Sequence, residues 1–109
     1  MDFKDYIQGK GKHSIDLLLA ISEISKEKER IAWKDVKEWF NKNGKNISDQ
    51  TYRKRSDELE QLGLVTKEPM TSDPFKRVIK LTDKGLIYIA LLIDFLGRIE
   101  EANKIVTAP

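Results

Sequence analysis

The stretch from Ser48 to Gly85 constrains the fold most, because its hydrophobic period changes once, at a glycine. Ser48 suits a helix N-cap, since its hydroxyl can accept a free first-turn N–H. Gly63 suits the stop, since glycine takes the left-handed conformation after a helix without strain. Between them Tyr52, Ser56, Leu59 and Leu62 recur at helical spacing and form one face. Gln50, Arg53, Lys54, Asp57 and Gln61 fall on the opposite side. After Gly63 the period becomes 2. Leu64 to Glu68 and Lys76 to Leu81 are the two strands this predicts. In the second, Arg77, Ile79 and Leu81 share one face, and Lys76, Val78 and Lys80 the other. The connection from Pro69 to Phe75 is rich in turn formers and holds two prolines, so it is no central strand. Thr82 then caps a last helix, with Asp83 in its first turn.

Upstream, Ser14 to about Lys26 reads as a helix capped by Ser14, with Ile15, Leu18, Leu19, Ile21 and Ile24 as its apolar stripe and Leu17 adding to it. The charge run Ser25 to Arg30 reads as a solvated helix end and turn. Ile31-Ala32-Trp33 suits a short edge strand. Lys34 to about Asn43 suits a helix with Val36, Trp39 and Phe40 inward, ended by Gly44. Ile47 is placed to pack inward just before the Ser48 cap. Two helices joined by so tight a turn make a helix-turn-helix. At the N-terminus Phe3, Tyr6 and Ile7 stand at helical spacing, on a short helix or a frayed end, and Gly9 to Lys12 form a flexible basic joint. His13 beside it reads as a solvated linker residue.

The last helix runs to about Ile105, and from Leu86 to Leu96 it is apolar nearly all round. Such a helix is covered on more than one side. Asp94 interrupts the run well short of the ~18 residues of a membrane span, so no membrane partner is expected. One face covers the chain's own core. The other most simply meets the same helix of a second copy, with Ile87, Ile89, Leu91, Leu92, Phe95, Leu96 and Ile99 as the expected homodimer interface.

Composition excludes several function classes. The chain has 109 residues, the size of one domain, and no cysteine, so disulfides, zinc ribbons and thiol chemistry are out. One histidine cannot build a histidine-rich metal site. No nucleophile–base pair and no glycine-rich phosphate loop is visible, so no enzyme and no cofactor is expected. The sequence lacks the charged, apolar, small-residue order of a signal peptide, which argues for the cytoplasm. Charged residues make up 35%, yet 20 basic against 18 acidic leave a net charge of only +2. A nucleic-acid function must therefore rest on where the charges sit.

They sit suggestively. A helix that docks by its back and offers Gln50, Arg53 and Lys54 outward near its start is built like a major-groove reader. The hairpin carries Lys67, Lys76, Arg77 and Lys80, which suit phosphates. With the helix end Leu59-Glu60-Gln61-Leu62-Gly63-Leu64-Val65 and the helix start Leu81-Thr82-Asp83-Lys84-Gly85, the chain from Ser14 to Ile105 resembles the winged helix-turn-helix regulators of prokaryotes, in particular MarR-like and PadR-like repressors and small archaeal winged-helix proteins. The resemblance implies a mainly α fold with a small β-hairpin wing, an α+β class, plus a long C-terminal dimerisation helix. It divides the chain into an N-terminal extension (1–13), a winged helix-turn-helix domain (14–82) and the dimerisation helix with its tail (83–109). It implies a homodimer that binds double-stranded DNA and regulates transcription. Ser48, Gln50, Thr51, Arg53 and Lys54 match recognition-helix positions, and Lys76 and Arg77 match wing positions. Asp49, Asp57 and Glu58 depart from a DNA-facing pattern and leave open a winged helix that binds protein, as well as a non-specific architectural DNA binder. Trp33, Trp39, Tyr88 and Phe95 read as core residues in preference to a small-molecule effector pocket.

Overall fold

The computed structural model describes residues 5–6, 13–73 and 75–107, with side chains as far as 104. In chain order these form α1 (Ser14–Ser25), β1 (Ile31–Ala32), α2 (Trp33–Lys42), α3 (Asp49–Gln61), β2 (Val65–Pro69), β3 (Arg77–Leu81) and α4 (Asp83–Thr107). The class is α+β: among the described residues α1 to α4 pack with one antiparallel sheet of three strands in the order β1-β3-β2. The register pairs Ile31 with Ile79 on one side of β3 and Val65 with Leu81 on the other.

Both glycine stops form as expected, and for the same reason. Gly44 and Gly63 take φ 68° and 77°. At the first, Lys45 N–H donates to Phe40 O (2.8 Å) and Gly44 N–H to Asn41 O (3.1 Å). At the second, Leu64 N–H donates to Leu59 O and Gly63 N–H to Glu60 O, both 3.0 Å. Each is a Schellman closure, which satisfies two carbonyls at the helix end. At the start of α3 the Ser48 hydroxyl accepts Thr51 N–H (3.1 Å), and Ile47 and Tyr52 enter the core together.

The start of α1 corrects an expectation. Ser14 does not cap it; the cap position is His13, held left-handed at φ 73°. The helix therefore begins one residue earlier, and Ser14 is buried with no partner for its Oγ among the described residues. His13 is half-buried, not a solvated linker residue. Its ring meets Phe40 edge-on at 5.4 Å, and its Nδ1 lies 3.3 Å from Asp16 Oδ2. Tyr6 is fully buried and donates its hydroxyl to Ser14 O (3.0 Å). Phe3 and Ile7 lie outside the described residues.

One core gathers Leu17, Leu18 and Ile21 of α1, Val36 and Phe40 of α2, Leu59 of α3, Val65 and Ile79 of the sheet, and Ile89 and Leu92 of α4. The residues before β1 are exposed, as the charge run predicts, and their side chains make three ion pairs at the surface. Lys28 binds Asp35 (2.8 Å), Glu29 binds Lys80 (2.8 Å) and Arg30 binds Glu68 (3.3 Å). These pairs also explain Val78, which alternation placed on a lysine-bearing face. Val78 is buried because β3 is the central strand, and its face-mates Lys80 and Glu68 are drawn over towards Glu29 and Arg30.

The two sequence motifs at either side of the hairpin meet in space. Thr82 Oγ1 donates to Gly63 O (2.7 Å) and accepts Gly85 N–H (3.0 Å), which makes it the cap of α4. Thr82 N–H donates to Leu64 O (3.1 Å), and Lys84 Nζ to Leu62 O (2.9 Å). The carbonyls that close α3 are thereby tied to the first turn of α4.

With 25 residues, α4 spans about 37 Å. Its two faces divide the expected interface set. Ile89 and Leu92 are buried in the chain's own core, and Leu96 packs against it, which corrects their assignment to a partner. Ile87, Leu91, Phe95 and Ile99 remain 42–63% exposed, and every residue from Gly97 to Lys104 is exposed. Trp33, Trp39 and Tyr88 pack on the core, whereas Phe95 does not. Among the described residues no helix is long and apolar enough to cross a membrane.

Candidate functional site

α3 is held by its back. Tyr52, Ser56 and Leu59 are buried, as the spacing predicts, and so are Arg55 and Glu58, which corrects the placing of Glu58 with Asp49 and Asp57 against a DNA-facing surface. Arg55 and Glu58 join with Nη1 3.0 Å from each carboxylate oxygen, their side chains only 6% and 9% exposed. Around the helix Arg55 falls between Leu59 and Leu62 on the inner face, so its position pointed inward although its charge argued for the surface. Fixing the back of α3 leaves Gln50, Arg53, Lys54, Asp57 and Gln61 facing outward.

Between this helix, the start of α2 and the β2–β3 hairpin lies an open groove of about 1040 Å³. Six cations line it: Lys34, Lys37, Arg53, Lys67, Lys76 and Arg77. Against them stand Glu38, Asp49 and Asp57. The near-neutral chain thus concentrates positive charge on one concave surface. Its floor is aromatic, with Trp33 and Tyr52 stacked at 4.5 Å and Lys37 Nζ 5.9 Å from the Trp33 ring centre. Burial, with Asp35 and Asp49 nearby, pushes the Tyr52 hydroxyl well above its ordinary value, so it stays protonated.

The expected site residues separate into two groups. Arg53, Lys67, Lys76 and Arg77 share the groove, whereas Ser48, Gln50, Thr51 and Lys54 lie outside its lining. Ser48 and Thr51 bond each other, Oγ to Oγ1 at 2.9 Å, and shape the helix start. Arg53 Nε lies 3.1 Å from Asp49 in an exposed pair. Lys67 is ion-paired to Asp57 and only 18% exposed, which ties the hairpin to α3. Lys80 is taken by Glu29. Lys54, Lys76 and Arg77 are exposed, with no carboxylate in salt-bridge range among the described residues. No group of three or more His, Cys, Asp or Glu that could hold a metal occurs among the described residues.

Comparison of the chain with protein-family models, with curated proteins and with solved structures finds no match.

Proposed function

We propose that the chain is a homodimeric, sequence-specific double-stranded DNA-binding regulator of the winged helix-turn-helix kind. In this reading α3 enters the major groove and the β2–β3 hairpin is the wing on the flanking backbone. The observation that carries it is the shared basic groove, in which Arg53 of α3 and Lys76 and Arg77 of the hairpin bound one concave surface while the back of α3 is locked in the core. Gln50 and Arg53 suit base edges, adenine and guanine respectively. Lys54, Lys76 and Arg77 suit phosphates. The Arg53–Asp49 pair does not stand in the way. An exposed i,i+4 pair is worth about 0.3–0.5 kcal/mol, less than the ~1–3 kcal/mol of a bidentate base contact. Lys67, by contrast, positions the wing through Asp57.

The second copy belongs on α4. Ile87, Leu91, Phe95 and Ile99 form an exposed stripe at intervals of four, and the helix runs on past the body through Gly97 to Lys104. A helix of that length draws its stability from an apolar face that is covered, and a like helix is the self-complementary cover.

Arg53→Ala tests the placement of α3. Loss of a base contact relaxes sequence preference at one position. Loss of a phosphate contact weakens all duplexes evenly and lowers the salt slope by about one unit. Unchanged affinity and unchanged slope would remove Arg53 from the interface. A second reading, a winged-helix module that binds protein, draws on the carboxylates already paired with Arg53 and Lys67. Such a module would pass through a duplex-DNA column at low salt, where a regulator is retained.

A further inference from the structure

Phe75 is the most exposed large hydrophobic residue described, at 96%. A single exposed apolar residue is ordinary on a protein surface. This one sits on a built tip. Asp73 Oδ1 accepts its N–H (3.1 Å), Asp73 O accepts Lys76 N–H (3.0 Å), and Met70 N–H donates to Lys76 O (2.8 Å). From the other side Arg30 reaches Thr71 Oγ1 (3.3 Å) and Glu68 (3.3 Å), so the base of the loop is tethered to the body. The turn spends its hydrogen bonds on presenting a phenyl ring to solvent. Directly after it come Lys76 and Arg77, exposed and without a carboxylate partner among the described residues, and ring and cations line the same groove as Arg53.

An apolar ring backed by cations fits a ligand that is anionic outside and flat and apolar inside, which describes a stack of bases within its phosphates. We propose that Phe75 is a wedge that enters the minor groove beside the α3 site and unstacks one base step of the bound duplex. The inference rests on the DNA-binding reading above and adds deformation of the duplex to it. Apolar wedges of this kind open a step and kink DNA by about 20–90° towards the major groove. Lys76 and Arg77 then hold the phosphates on either side of the opened step. Selectivity at that step comes from stacking strength, so flexible pyrimidine–purine steps are favoured without any hydrogen bond to a base.

The test uses the full chain and a short duplex retained by it, with 2-aminopurine substituted in turn at each flanking position. Its fluorescence rises when the base unstacks. Wild type raises the signal at one flanking step and brings fluorophores on the duplex ends closer together. Phe75→Ala loses both responses and binds roughly tenfold more weakly, as expected for one lost ring–base contact. Its salt slope is unchanged, because no charge is removed. Phe75→Leu keeps the wedge, while Lys76→Gln keeps the fluorescence signal and lowers the slope by about one unit. The wedge is overturned if Phe75→Ala binds and brightens the probe like wild type. It is equally overturned if the chain prefers the single strand and Phe75→Leu abolishes that preference. A wild-type chain that retains no duplex at low salt removes the DNA-binding reading itself, and the wedge with it; a chain that binds without unstacking removes the wedge alone.

Discussion

Gly85→Ala and Gly97→Ala place the same substitution in the same helix and are expected to act in opposite directions. Alanine exceeds glycine in a helix interior by about 0.8–1 kcal/mol. At Gly97 an added Cβ meets nothing within 4 Å, so Gly97→Ala should gain about 0.5–1 kcal/mol. At Gly85 the Cβ would lie 2.1 Å from Leu64 O, 3.0 Å from Leu64 C and 3.1 Å from Leu81 Cδ2. Carbon and carbonyl oxygen come no nearer than about 3.3 Å in ordinary contacts, so the α4 start must withdraw by about 1 Å. It cannot withdraw freely, because Thr82 N–H, Thr82 Oγ1 and Lys84 Nζ are bonded to Leu64 O, Gly63 O and Leu62 O. Overpacking costs about 1–3 kcal/mol and each of these three strained hydrogen bonds about 1 more. After a propensity gain of about 1 kcal/mol, a loss of about 3–5 kcal/mol remains. For a domain of this size it lowers Tm by roughly 15–35 °C. Urea unfolding followed by circular dichroism reads both variants. A Gly85→Ala chain as stable as wild type would refute the close approach of α4 to the end of α3, and with it the seat of the hairpin beside α3.

Three further outcomes follow from single contacts. Glu58→Ala leaves Arg55 charged and buried and should cost about 3–5 kcal/mol, whereas Arg55→Met with Glu58→Leu should recover most of that in the same urea assay. Burial pushes the Asp35 carboxyl up, but bonds from Lys28 and the Ala32 N–H outweigh it and hold the group below its ordinary value. Its contribution is therefore full above about pH 4 and is lost as pH falls below that, so Asp35→Asn should flatten the acid limb of the stability curve. Leu91→Glu charges the exposed stripe of α4 without touching the core, so it should leave Tm nearly unchanged at low concentration. In sedimentation it should shift the proposed dimer to monomer; a mass that does not change would exclude this face as the interface.

The legible parts of the sequence were those in which one local rule acts alone. Gly44 and Gly63 end helices because their positive φ suits glycine, and Ser48 and Thr82 cap because a hydroxyl can reach the third N–H along. The less legible parts were decided by partners remote in sequence. Ser14 looked like a cap, but the chain enters α1 through a left-handed His13 that packs on Phe40. Alternation set Val78 on a face with Lys76 and Lys80 but could not show that it is buried there, opposite Ala32 of β1 and Glu68 of β2. For α4 the period showed an apolar helix; only the packed fold shows that Ile89 and Leu92 serve the chain's own core while Ile87 and Leu91 stay outside. In the candidate site four of the six groove cations, Arg53, Lys67, Lys76 and Arg77, were readable, whereas Lys34 and Lys37 of α2 were missed. The pairing of the hairpin lysines was not readable, since Lys67 with Asp57 and Lys80 with Glu29 depend on how the hairpin lies against α3 and the turn before β1.

The measurement that tests the central proposal most directly is a salt series of binding to a random pool of duplex DNA, with sequencing of what is retained. Lys54, Lys76 and Arg77 of two copies give a slope of log K against log salt of about −5, at roughly 0.9 per neutralised phosphate. The retained pool should contain an inverted repeat with half-sites about one helical turn apart. Steep retention without an enriched sequence would contradict sequence reading and leave a DNA coater. No retention even at low salt would contradict DNA binding altogether.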